Sequence, residues 1–245
     1  MFAIAIASYL SMYPMLLLPP LILLCHDRRP SKKQTQSTSK SAIGSVGIIV
    51  GTLFTLLQMS WLLTGSWSFL SSTYGIQLLL PDLTPNIGLW WYFFIEMFDT
   101  FRPFFLGVFQ LHLLSYTPGL TIRLRPSPLL AIATLIGIHS IFQPYPSLSN
   151  TVLYLSLLPL FRHLFPLMRY TFLALSTMWF ATVLGPAFYY LWVEAGSGNA
   201  NFFYAITLVW GLGVSILVSD LCWAGLRDEW ELSRPEMAGK EVKQI

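Results

Sequence analysis

Long apolar runs alternate with short polar stretches along the chain, the longest being Phe2 to Cys25, Ala42 to Gly65, Leu164 to Val193 and Phe202 to Leu226. A hydrocarbon core about 30 Å thick is crossed by roughly 20 apolar residues rising about 1.5 Å each, so each run can span a bilayer. The pattern predicts an all-α, polytopic membrane helical bundle. Its spans are placed at about 2–25, 42–64, 89–114, 128–142, 151–161, 167–192 and 202–225, making one membrane domain over 1–226 followed by a cytoplasmic tail, 227–245. The stretches 128–142 and 151–161 are short for a span, which predicts broken or steeply packed helices shielded by protein. Tyr13-Pro14 and Pro19-Pro20 interrupt the first run and predict a broken helix whose freed carbonyls are met by neighbours. This run has no basic leader and exceeds a usual signal-peptide core, so it reads as a true span.

The polar segments set a topology. His26 to Ser41 carries Arg28, Arg29, Lys32, Lys33 and Lys40 against the single acid Asp27, which places it in the cytoplasm. The stretch from Ser66 to Gly88 then falls in the lumen, and its apolar run Ile76 to Leu80 predicts an interfacial or re-entrant helix. Trp90-Trp91-Tyr92 opens the third span as an aromatic belt at headgroup depth. Arg123, Arg125, Arg162, His163 and Arg169 return to the cytoplasm, and Glu194 to Asn201 form a small lumenal loop. The amino end is lumenal in this reading and the carboxyl end cytoplasmic.

Composition agrees. Apolar residues make up 55% and charged residues 10% of the 245, with a mean hydropathy of +0.62, too little polar surface to coat a soluble particle. Cys25 and Cys222 cannot form a disulfide framework, and no Asn-X-Ser/Thr sequon occurs at Asn86, Asn150, Asn199 or Asn201. The histidines His26, His112, His139 and His163 lack the spacing of a helical metal site, so neither metal nor cofactor is expected. Nucleophile-base groupings and phosphate-binding loops are likewise not legible; Gly196-Ser197-Gly198 lacks the Lys and the strand a nucleotide site needs.

Intramembrane charge gathers in the third span as Glu96, Asp99 and Arg102, spaced three apart and hence predicted to share one helix face. A structural, self-neutralising pair and a contact to a lipid headgroup or partner subunit are both open readings. Catalysis is disfavoured, because a guanidinium beside Asp99 holds that carboxylate ionised. The other polar patch is Ala195 to Asn201, where two glycines allow close backbone approach and Ser197, Asn199 and Asn201 offer donors and acceptors. A helix-capping turn and a site for a zwitterionic headgroup or sugar both fit it.

Two segments carry a family resemblance: Pro81-Asp82-Leu83-Thr84-Pro85-Asn86-Ile87-Gly88-Leu89-Trp90-Trp91-Tyr92 with its continuation to Phe98, and Ala195-Gly196-Ser197-Gly198-Asn199-Ala200-Asn201-Phe202-Phe203-Tyr204 with its continuation to Leu208. They resemble the PIG-U family, the multispan subunit of the glycosylphosphatidylinositol (GPI) transamidase. Ser11-Met12-Tyr13-Pro14 and Phe109-Gln110 are similar too. The resemblance implies an endoplasmic reticulum multi-pass protein with a fold like that of the multispan (GT-C-like) glycosyltransferases, without catalysis of its own. It would bind or present the GPI lipid and scaffold PIG-K, which carries the cysteine-protease chemistry, with PIG-T, PIG-S and GAA1-type subunits. It further implies that Asn199 and Asn201, with Ser197, Tyr204 and Trp91, contact the lipid. Family members are longer, so a carboxyl-terminal portion is expected. The competing enzyme reading is a lumenal glycosyltransferase of the GPI pathway using a dolichol-phosphate sugar, with Asp82 and Glu194 as its lumenal acids.

Overall fold

In the computed structural model, residues 1–27, 38–237 and 239–240 are described, and among them the secondary structure is entirely helical. The basic segment 28–37 and residues 241–245 at the end of the tail lie outside the described residues. Among the described residues three helices, within Ser41–Thr64, Thr171–Val193 and Ala200–Ser233, are long and apolar enough to cross a membrane. The protein is thus a polytopic helical membrane protein. It divides into two compact units, Met1–Asn150 and Thr151–Ile245.

The first unit opens with α1 (Phe2–Leu10), which stops where Ser11 turns extended; a 3-10 turn over Tyr13–Leu17 leads into α2 (Leu18–Asp27). The interruption falls at Ser11–Leu17 alone. Pro19 and Pro20 sit in the first turn of α2, where a missing N–H leaves no bond unmade, so this pair starts a helix and does not break one. α3 (Thr38–Thr64) packs on α1 and α2, with Tyr9 and Ser60 joined through their hydroxyls. A π-helical turn, Ser71–Gly75, runs into α4 (Ile76–Leu79), and the chain reverses at Leu80 in the left-handed region (φ 48°). That conformation costs a branched residue about 1–2 kcal/mol. It is held because Leu80 is buried with Tyr13, Trp90, Phe94 and Leu113, and because the Arg102 guanidinium donates to its carbonyl at 2.6 Å.

The expected third span is two helices, α5 (Trp90–Ile95) and α6 (Arg102–Arg123). Residues 96–101 belong to neither helix, and Pro103 stands in the first turn of α6, where its missing amide hydrogen leaves no bond unmade, so it starts that helix. Glu96, Asp99 and Arg102 therefore do not share one helix face: Glu96 ends α5, Asp99 lies in the break, and Arg102 begins α6. Arg102 pairs with the Leu80 carbonyl and forms no ion pair with either carboxylate among the described residues. α7 (Pro128–Phe142) occupies the first short stretch and is buried around most of its circumference, packed on α2 and α6, so it is shielded by protein despite its 15 residues.

In the second unit, α8 (Leu148–Leu157) gives way to a 3-10 segment, Leu158–Leu167, kinked at Phe161 between Pro159 and Pro166. α9 (Thr171–Val193) and α10 (Ala200–Ser233) form an antiparallel hairpin in which Ile206 faces Gly185 and Met178 faces Gly213. α10 does not end near 225. At 34 residues it is about 51 Å long and carries Arg227, Glu231 and Trp230 on the same helix. Arg227 pairs with Glu231 at 2.6 Å and stacks over Trp230, so leaving the apolar run does not unwind the backbone there.

A side chain at Gly213 would place its Cβ 2.7 Å from Met178 Cγ and 3.1 Å from the Met178 amide nitrogen. Gly213→Val is therefore expected to destabilise the hairpin by about 1–3 kcal/mol, read as a lower thermal midpoint in detergent. Gly185→Ala, whose nearest neighbour is 3.8 Å away, should leave the midpoint nearly unchanged.

Candidate functional site

The turn between α9 and α10 is built from both helix ends. The Glu194 and Ala195 amides donate to the Tyr190 carbonyl, and the Ser197 and Gly198 amides to the Leu191 carbonyl, closing α9. Gly196 takes a left-handed φ of +61°, which a glycine adopts without strain. Asn199 then opens α10: its side-chain oxygen accepts from the Phe202 amide at 3.3 Å, and its side-chain NH2 has no partner among the described residues. The expected capping role is thus present, and Asn199 remains exposed. Ser197, Asn199 and Asn201 are exposed around this turn and Tyr204 is half-buried one turn below. Phe188 stacks on Phe202 at 5.8 Å, while Phe203 meets Tyr189 at 5.2 Å and Trp192 at 6.3 Å.

Trp91 lies in the first unit, 1% exposed, with its ring edge-on to Tyr92 at 5.4 Å. The surrounding motif forms a tied loop. Asp82 accepts from the Thr84 amide at 2.9 Å and the Thr84 hydroxyl at 2.5 Å, which holds its carboxyl below the usual range. Asn86 accepts from the Gly88 amide at 2.7 Å, the Tyr145 hydroxyl donates to the Asp82 carbonyl at 2.9 Å, and the Trp90 indole donates to the Phe142 carbonyl at 2.8 Å. Below the loop, Trp90, Phe93, Phe94 and Phe109 pack with centroids 5.0–5.5 Å from Phe109. Asp82 thereby serves as the anchor of an Asx turn.

A buried carboxylate lies outside the third span. Asp220, 4% exposed on α10, accepts from the Arg169 amide at 2.9 and 3.0 Å and from the Tyr170 amide at 2.8 Å. It caps the start of α9 from the neighbouring helix, because Tyr170, the residue at the capping position, makes no side-chain cap of its own. A lone acid in the run Phe202 to Leu226 was the available signal, since a buried carboxylate requires donors.

The family model described as "GPI transamidase subunit PIG-U" matches residues 1–210, which include both motifs. The chain belongs to the PIG-U family. It is 42% identical over 244 residues to the GPI transamidase component GAB1 of Saccharomyces cerevisiae, covering 99% of this chain and 59% of that protein. It is 38% identical over 232 residues to the GPI-anchor transamidase component PIGU of Homo sapiens, covering 94% of this chain and 53% of that one. The GAB1 homolog of Schizosaccharomyces pombe is 43% identical over 190 residues, 78% of this chain and 47% of that protein. The chain thus spans about half to three-fifths of the length of these PIG-U family relatives.

Asp220→Ala would leave two amides at the head of α9 without their acceptor. Loss of such a buried charged acceptor costs roughly 1–3 kcal/mol or more, so hydrogen exchange at Arg169 and Tyr170 should accelerate, with a milder effect for Asp220→Asn. At the other end, Asn199→Ala is expected to cost about 1 kcal/mol in thermal stability through the lost cap, and Asn199→Ser to recover most of it.

Proposed function

We propose that the chain forms part of a non-catalytic subunit of the GPI transamidase in the endoplasmic reticulum membrane, where it binds or presents the GPI lipid while anchors are joined to proteins. The family match over residues 1–210 carries this reading, and the named relatives are components of that complex. PIG-K, PIG-T, PIG-S and GAA1-type subunits are the partners it would scaffold. The α9–α10 turn is the proposed contact with the lipid head. Its exposed neutral amides and hydroxyl suit ethanolamine phosphate or a sugar, since they bind without adding charge to a headgroup that carries both signs. The basic residues at the far end of α9 support a lumenal placement for this turn, because Arg162, His163 and Arg169 favour the cytoplasmic side.

The capping geometry selects the residue to test. Asn199 holds α10, whereas Asn201 lies within the helix and is exposed. In cells lacking the endogenous subunit, Asn201→Ala should lower surface display of a GPI-anchored reporter by several-fold while PIG-K and PIG-T still copurify, as loss of a hydrogen bond worth about 0.5–1.5 kcal/mol requires. Unchanged display with Asn201→Ala combined with Asn199→Ser, which preserves the cap, would overturn the contact.

A further inference from the structure

At the opposite end of the hairpin from the turn, α9 and α10 enclose a cleft of about 730 Å³. Arg169, Ser215, Ser219, Trp223 and the Asp220 carboxylate line it together with the apolar Leu173, Leu212 and Ile216. The Arg169 guanidinium lies 4.1 Å from the centroid of the Trp223 ring. Its main-chain amide is fixed by Asp220, and no carboxylate pairs with the guanidinium among the described residues. The negative charge of Asp220 is already met by the two amides at the head of α9, so the guanidinium keeps its N–H donors for an external acceptor. Stacking on Trp223 fixes the plane of the fork before anything binds. The Ser219 hydroxyl is exposed beside it, and the Ser215 hydroxyl donates back to Gly211 at 2.7 Å, leaving its oxygen to accept.

The rim defines what enters. Leu173 is 52% and Leu212 56% exposed, a surface that belongs against hydrocarbon. α9 is about 34 Å long over its 23 residues, so its two ends reach opposite membrane surfaces and this cleft opens to the leaflet away from the turn. A cation held at the interface above an apolar groove complements one chemistry, a phosphate joined to an acyl chain. We propose that this cleft binds a glycerophospholipid of that leaflet, its phosphate on Arg169 and Ser219 and an acyl chain along Leu173, Leu212 and Ile216. The site is separate from the proposed GPI contact and does not depend on it.

The test uses the protein in the complex with which it copurifies, reconstituted in phosphatidylcholine nanodiscs doped with diazirine-acyl phosphatidic acid or, as the phosphate-free control, diazirine-acyl diacylglycerol. Crosslinks from phosphatidic acid should map to Leu173, Leu212 and Ile216, and fall about tenfold with diacylglycerol. Arg169→Ala should cause a similar drop, Arg169→Lys a smaller one because it keeps the charge without the fork, and Leu212→Trp a loss by filling the groove from its exposed side. Amide exchange at Tyr170 verifies that each variant keeps its helix start. Equal labelling by both probes, labelling indifferent to Arg169→Ala, or displacement of the lipid probe by inorganic phosphate alone would overturn the proposal. Absence of labelling at these residues would do so too, as when a protein segment fills the groove.

Discussion

A helix that breaks inside hydrocarbon exposes backbone groups that water cannot reach, and each must be met by a side chain. This requirement organises both units. Where α1 gives way to α2, the Gln77 side chain accepts from Ser11 and the Met12 amide at 3.2 Å, Tyr74 donates to the Tyr9 carbonyl at 2.5 Å, and Thr117 donates to the Leu16 carbonyl at 3.2 Å. Gln110 closes the return path by donating to the Gln77 carbonyl at 2.9 Å. Arg102 does the same for the reversal at Leu80, and Asp220 for the head of α9. These polar residues sit among apolar ones because irregular backbone packed away from water obliges them to be there.

The same requirement explains which parts of the architecture were legible in the sequence. Apolar runs give their helical character away, and Pro14 marks its interruption because it lacks a donor. α7 matches its apolar stretch because Ser127-Pro128 starts it and Gln143-Pro144 ends it. The break after Ile95 was masked because Glu96, Asp99 and Arg102 are spaced three apart, a spacing that fits one continuous helix face as well as a break between two helices. Leu80 could not be anticipated, since left-handed backbone at leucine is decided by what its side chain is buried against. The full length of α10 was masked by the change from apolar to charged residues at Arg227, which marks where lipid ends and says nothing of where the helix does.

The candidate site was legible as a patch of donors and illegible as geometry. Composition alone offers Ser197, Asn199 and Asn201 as equals. Folded, Asn199 is half committed to the Phe202 amide, and Asn201 stands on the first turn of α10. Trp91 shows the opposite discrepancy: a tryptophan at the mouth of an apolar run has the sequence signature of an interfacial anchor, yet its ring is in the core. Asp220 was overlooked because its partners are main-chain amides some fifty positions away, and amides leave no trace in a list of residue types.

The pairing of Asp220 with the amides of Arg169 and Tyr170, together with the contact of Gly213 on Met178, fixes the slide of α9 along α10 at two heights. Two rods pinned at two points cannot shear past each other; they can only lean together. A bilayer thinner than α9 is accommodated by inclination of the whole pair, which swings the Gly196 corner sideways through an arc while its own bonding stays intact. Local membrane thickness thereby becomes a mechanical input to the orientation of that corner.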